Sequence, residues 1–234
     1  MTAIAAVAKM EKAVDGNSLS KLYRNRFGPE QLPRKYAIWQ AINKTFIQKY
    51  IAPSDIVLDV AAGYGEFINT ISASEKHAID LNPDAQRFMG ADVSFYCGNS
   101  MELLEDIPCS PNVVFASNFL EHLPSKEALD VLFARVHDKL PANGKFIILG
   151  PNLRYLPGKY WDFYDHTLGL THLSLMEALL LHGFVVEKCI AKTLPYTMKS
   201  SWPTHPALVT LYLKIPLVWP ILGKQFFVVA RKAS

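Results

Sequence analysis

The sequence is poor in cysteine and in charge, and it has no long apolar run. Three cysteines in 234 residues, Cys97, Cys109 and Cys189, are odd in number and widely spaced. A disulfide framework is excluded, and with no C-x-x-C pair so is the common kind of cysteine zinc site. The expected compartment is therefore a reducing one, the cytoplasm. Only 19% of the residues are charged while 50% are hydrophobic, which excludes global disorder. A membrane-spanning helix needs about 20 apolar residues. The best candidate, 206–222, has 17, with Lys214 in its middle and three prolines. It is expected to lie on a membrane at most, not to cross one. No basic stretch precedes the short apolar run at the start, so no secretory leader is expected.

Acidic residues are missing from 188–234, which hold seven Lys/Arg and no Asp/Glu, a charge of +7. Residues 1–50 hold nine basic and three acidic residues, +6, and residues 51–187 hold eight and eighteen, −10. An acidic middle argues against a nucleic-acid binder, whose basic footprint belongs on its main fold. The basic ends read either as solvated flanks or as an anion- or membrane-facing rim.

What is present is an alternation. A helix is expected over 34–50, where Ile38, Ala41, Ile42 and Phe46 recur at helical spacing. Apolar strands are expected at 56–60, 77–81, 93–97, 112–117 and 145–150, and again at 184–191 and 225–231. Ser125 is placed to cap a helix carrying the stripe Leu129, Leu132, Phe133, Val136 and Leu140. A helix over 174–183 is closed by Gly183. Continuous apolar strands between helices imply a mostly parallel sheet covered on both faces, an α/β doubly wound, Rossmann-like fold. The last two strands suit a hairpin at one edge. We read one domain: a helical cap (1–50), a core (51–194), a proline-rich insert (195–224) and a last strand (225–234).

The chemistry concentrates where the strand Val57-Leu58-Asp59-Val60 runs into Ala61-Ala62-Gly63-Tyr64-Gly65. Glycines let backbone approach a ligand at a strand end. Asp80 closes the second strand and is placed to accept hydrogen bonds from ribose hydroxyls. A dinucleotide site wants G-x-G-x-x-G, and the third glycine is replaced by Ile68. Glu66, at the expected start of the next helix, would repel a pyrophosphate. An acid inside the first strand suits a ligand with an ammonium and a sulfonium, as S-adenosylmethionine (SAM) has. Asp59 reads alternatively as an orienter of the glycine loop.

These segments together resemble the class I SAM-dependent methyltransferases over roughly 35–190 and the last strand. VLDVAAGYGEF resembles their glycine-rich motif, with Ala61 where glycine is usual, and AIDLNPD their ribose-binding segment. GNSMELL resembles the adenine-edge segment, VVFASNFLEHLP the fourth-strand motif beside the reactive methyl, and LPANGKFIILGPN the fifth-strand turn. The resemblance implies a seven-strand methyltransferase sheet. It implies SAM contacts from Asp59, Ala61, Gly63, Gly65, Asp80, Leu81, Asn99, Ser100, Met101 and Asn118. In the N-terminal helices, Tyr23 and Arg26 would close over the cofactor carboxylate. Asn99 stands where Asp is common. The plainer reading of Asn99 and Ser100 is a turn in which Ser100 caps a helix over 101–106, and Cys97 reads as core.

For a hydroxyl acceptor a general base is needed, ideally a histidine. His122 follows the fourth strand, and His166 sits beside Asp165 in an aromatic segment after the fifth, with His172 further on. Either histidine serves. Glu121 beside His122 suggests a metal, but one carboxylate and a neutral Asn118 make a poor set, so none is expected. Tyr155, Tyr160, Trp161, Phe163 and Tyr164 suit a sugar ring or pack a lid. The stretch 151–199 resembles methyltransferases of bacterial surface-glycan synthesis, which implies a sugar hydroxyl. The expected activity is O-methylation of a glycan or other small molecule. The alternatives are a non-catalytic SAM-binding or membrane-tethering module and, behind it, a nicotinamide oxidoreductase. The insert fits a membrane contact, a substrate lid or a homodimer surface.

Overall fold

A computed structural model describes residues 29–196 and 205–234. All seven strands join one sheet: β1 (Ile56–Asp59), β2 (Glu75–Asp80), β3 (Val93–Cys97), β4 (Val113–Ser117), β5 (Lys145–Pro151), β6 (Phe184–Ile190) and β7 (Gln225–Lys232). Their spatial order is β3-β2-β1-β4-β5-β7-β6. The first five run parallel, and β7 is antiparallel to both β5 and β6. The chain winds outward from β1 to β3, then returns to place β4 on the other side of β1. In open sheets ligands bind outside the carboxyl ends of the strands at such a reversal, here those of β1 and β4.

Both faces of the sheet are buried because alternate strand residues feed different cores. Leu58, Phe146, Ile148 and Val228 pack with Leu132 and Phe133 of helix α3 (Lys126–Lys139) and with Leu175 and Leu179 of α4 (His172–Leu181). Val57, Ile147, Leu149, Phe227 and Val229 pack on the other side with Phe46 and Trp219. That second core is closed by α1 (Leu32–Ile42), α5 (Pro206–Leu213) and α6 (Trp219–Leu222). Ser125 caps α3 as expected, its hydroxyl accepting from the Ala128 N–H at 3.3 Å. Gly183 follows α4 at φ +80°, a conformation that suits glycine.

The expected helix over 34–50 begins at Leu32 and changes pitch after Ile42. It widens to a π-turn over Asn43–Ile47 and tightens to a 3₁₀ turn over Gln48–Tyr50. Asn43, fully buried at that change, donates its amide to the Phe67 carbonyl at 3.0 Å and to the Thr70 hydroxyl at 2.5 Å. The cap is thereby tied to the glycine loop. Three local expectations are corrected. Residues 63–71 form successive turns, not a regular helix beginning at Glu66. Asn99, not Ser100, caps α2 (Ser100–Asp106), its side-chain oxygen accepting from the Met101 N–H at 3.0 Å. Cys97 is exposed, because it ends the edge strand β3. Residues 1–28, which include Tyr23 and Arg26, lie outside the described residues.

Candidate active site

At the carboxyl ends of β1 and β2 the glycine loop folds over two buried acids. Gly63 and Gly65 adopt φ of +55° and +76°, which glycine reaches without steric cost. The turn they make delivers the Gly63 N–H to Asp80 Oδ2 at 2.6 Å, while Asp80 Oδ1 accepts from the Asn82 N–H at 2.8 Å. A carboxylate offers about four acceptor sites, so two remain for hydroxyls. Ala61 is not among the left-handed residues, so its side chain causes no strain where glycine is usual. Leu81, next in sequence to Asp80, is 39% exposed.

Asp59 is only 2% exposed, and among the described residues its one close donor is the Ala61 N–H, at a long 3.4 Å. Burial drives its carboxyl well above the ordinary range, and the charges of Asp80 and Glu66 add to this. Burial likewise raises Asp80 to about 6, against the pull of its two backbone donors. Lys35, whose charge lowers Asp80, is itself paired with Glu66 at 2.8 Å. Among the described residues no ion pair reaches Asp59 or Asp80. Two buried acids facing one loop are short of positive charge, and a cationic ligand would supply it.

The next element ties to this loop. The Ser100 hydroxyl donates to the Val60 carbonyl, which couples the start of α2 to the end of β1. Asn99 spends its side-chain oxygen on its own helix, and Met101 is buried beside it. At the end of β4, Asn118 takes the left-handed region at φ +48°, which Asn tolerates better than most residues. Its N–H donates to the Leu149 carbonyl at 2.8 Å. Asp59, Ala61, Gly63, Asp80 and Ser100 are thus gathered by hydrogen bonds at the carboxyl ends of β1 and β2, and Asn118 stands at the neighbouring end of β4.

The acceptor side is built by a backbone zipper. The Glu121 carbonyl accepts from the N–H groups of Thr167 and Leu168 at 2.9 and 3.1 Å, and the Thr167 hydroxyl donates to the Leu123 carbonyl at 2.6 Å. This long-range pairing brings His122, Asp165 and His166 together. His122 Nδ1 lies 2.9 Å from the Asp165 carbonyl oxygen and 3.3 Å from its carboxylate Oδ2. A carbonyl can only accept, so Nδ1 carries the hydrogen, and in the neutral ring the lone pair lies on Nε2. The His166 ring sits 5.0 Å from that of His122, stacked on Phe163 and edge-on to Tyr160, both at 4.9 Å. His166 is 7% exposed, whereas the His122 side chain is 29% exposed and reaches solvent. The two histidines ranked together by sequence are therefore separated by access.

Other residues of this segment have structural work. Tyr160 is fully buried, and its hydroxyl donates to the Leu168 carbonyl at 2.6 Å. His172 opens α4 and is held by Asn152 at 3.0 Å. Tyr155 stacks on His172, and Trp161 and Tyr164 point outward, so the five aromatics do not form one platform. The residue that sequence reasoning undervalued is Glu121. It is 3% exposed, and burial lifts its carboxyl to about 7, with Asp165 adding to the rise and His122 opposing it. Its Oε2 lies near Gly150 of β5, beside the Phe226 ring that packs on that glycine. The sequence signal was an acid directly before His122. Glu121, His122 and His166 also place one potential metal-ligand atom each within 4.8 Å of one another, so the third donor that the sequence appeared to lack is supplied by the zipper.

No family model and no curated protein matches the chain. Solved structures do. A SAM-dependent methyltransferase from Archaeoglobus fulgidus is 20% identical, with 90% of this chain and 98% of that one covered and a TM-score of 0.63. A chain from the Haloferax volcanii complex containing the Trm112 methyltransferase activator is 13% identical over 97% of both chains, with a TM-score of 0.62. The [4+2]-cyclase SpnF is 14% identical, with 83% and 80% covered and a TM-score of 0.56. At these identities the likeness is one of fold. The chain has the Rossmann-like fold seen in these SAM-dependent methyltransferase structures.

Proposed function

We propose that the chain binds SAM at the carboxyl ends of β1, β2 and β4 and transfers a methyl group to a hydroxyl acceptor beside His122. The observation that carries this reading is the pair of buried acids, Asp59 and Asp80, around a glycine loop, which no ion pair reaches among the described residues. Bound SAM supplies a methyl group already activated on a sulfonium. Asp80, with two acceptor positions left, would hold the ribose hydroxyls, Asp59 the amino-acid end, and Leu81 and Met101 the adenine. His122 takes the acceptor proton at Nε2, and Asp165 holds the ring in that tautomer and stabilises the charge it gains. His166 buttresses the ring of His122 from behind. A sugar hydroxyl is the acceptor that the resemblance of the 151–199 stretch implies.

A pyrophosphate fits poorly. Residues 63–71 offer no helix N-terminus, and Asp59, Glu66 and Asp80 are all buried acids. Glu121, His122 and His166 favour a second reading, in which a divalent ion on His122 Nε2 activates the acceptor. Turnover after exhaustive chelation separates the two: the proposed base survives it, a metal site does not.

Calorimetric titration with S-adenosylhomocysteine tests the cofactor assignment. Asp80→Ala removes charge-assisted hydrogen bonds worth roughly 1.5–3 kcal/mol, so affinity should fall about tenfold or more. Unchanged affinity would remove Asp80 from the site.

A further inference from the structure

The insert carries a surface that the proposed chemistry does not use. Leu208, Leu211, Ile215, Leu217, Ile221 and Leu222 are between 40% and 86% exposed, all within fifteen residues. They are not loosely held. Leu213 and Trp219 of the same stretch are buried, Trp219 packs edge-on against Phe46 at 5.4 Å, and its indole N–H donates to the Tyr212 carbonyl at 3.0 Å. A rigid segment with so many large side chains in water is a surface made to be covered.

The charge around it says by what. Between α1 and α5 lies an open notch of about 500 Å³ lined by Ala41, Lys44, Thr45, Thr210 and Lys214, so two ammonium groups sit directly beside the apolar stretch. Lys49 sits near enough to Lys188 that its ammonium is held below the usual range, by burial first and then by that like charge. No acidic residue occurs anywhere in 188–234. A two-fold pairing of this face with a second copy would set lysine against lysine. An anionic bilayer meets both features, since its acyl boundary covers leucines and its phosphates neutralise lysines.

We propose that this face, from α5 to α6, docks the protein on an anionic membrane surface, with the Lys44–Lys214 notch receiving a lipid phosphate. The placement has a consequence. The insert leaves the sheet beside Tyr196, whose ring meets Phe163 at 5.7 Å, and re-enters at Gln225 opposite Pro151. Both points lie at the carboxyl edge of the sheet, the edge that holds His122. If the methyl-transfer reading holds, the acceptor hydroxyl is carried on a membrane lipid and presented at that edge.

Vesicle flotation of the full chain tests the docking without reference to catalysis. Vesicles of phosphatidylcholine with about 30% phosphatidylglycerol should carry the protein up, and pure phosphatidylcholine should not. Leu217→Asp, at an 86% exposed site, should lower partitioning about tenfold without altering the unfolding midpoint. Lys44→Glu with Lys214→Glu should lower it at least tenfold, and raising salt should mimic that loss. Equal flotation on both vesicle types, or none on either, would overturn the proposal. So would gel filtration showing a dimer that Leu217→Asp dissociates while vesicles are ignored, which would assign the face to a second copy. SAH binding that persists while flotation fails would leave the cofactor reading intact.

Discussion

At the scale of single residues, the account rests on where protons sit. His122 owes the lone pair on Nε2 to the Asp165 carbonyl, which fixes the hydrogen on Nδ1. His122→Ala should lower kcat on a methylatable acceptor about a hundredfold or more, the usual worth of a positioned base, and leave SAH affinity within about twofold. Steady-state rates beside calorimetry check this, and full turnover would remove His122 from the chemistry. Glu121 makes a pH prediction. Its carboxyl is raised from 4.5 to about 7. Between those values the native chain holds a proton that the unfolded chain has released. Stability from this group is therefore whole below about pH 4.5 and falls as the pH rises through 7, by roughly 1.4 kcal/mol per pK unit of difference. Glu121→Gln should stabilise the chain more at pH 8 than at pH 5. Urea midpoints at the two pH values decide it, and an equal change at both would show that Glu121 is not held protonated. The sequence named His122, His166 and Asp165 but not their contact. That contact depends on hydrogen bonds from the Thr167 and Leu168 N–H groups and the Thr167 hydroxyl to the carbonyls of Glu121 and Leu123, more than forty residues away in sequence, which no local pattern encodes.

Elements were more legible than contacts. Runs such as Val57–Val60 and Phe146–Leu149 are continuous and apolar because both sheet faces are covered, so each strand was located to within about two residues. Ser125 and Gly183 bound helices through local chemistry and were readable for that reason. The segment after the glycine loop was not. Its turns are held by non-local bonds, including those from Asn43, and by Asn69, whose amide donates to the Phe88 carbonyl and whose oxygen accepts from the Gly90 N–H, each at 2.8 Å. A side-chain carbon on Gly65 would lie 2.7 Å from Asn69 Nδ2, at a residue already at φ +76°. Gly65→Ala should thus cost about 1–2 kcal/mol, from the left-handed backbone and from displacing Asn69. It should also weaken SAH binding, because the loop would no longer reach Asp80. Urea unfolding with SAH titration measures both, and a neutral substitution would mean that the loop does not need this turn. The cap of α2 shows a finer limit. Asn99 and Ser100 are both good capping residues, and the choice fell to Asn99 because the Ser100 hydroxyl is engaged by Val60.

For the whole molecule, the strands were readable but their order was not. Apolar runs do not say that β7 slips between β5 and β6, and only the five ordered motifs implied it. The charge division was readable and now has a place: the acidic middle holds Asp59, Asp80 and Glu121, and the basic tail forms the insert and its rim. The central claim is that the acidic carboxyl end of β1 and β2 is a SAM site. Thermal unfolding of the full chain with S-adenosylhomocysteine, SAM and NAD in parallel tests it most directly. A ligand that binds only the native state adds roughly 2.7 kcal/mol at a hundred times its Kd. The account predicts a raised midpoint with the first two ligands, lost in Asp80→Ala, and none with NAD. A midpoint raised by NAD alone, or unmoved by S-adenosylhomocysteine at millimolar concentration, would contradict it.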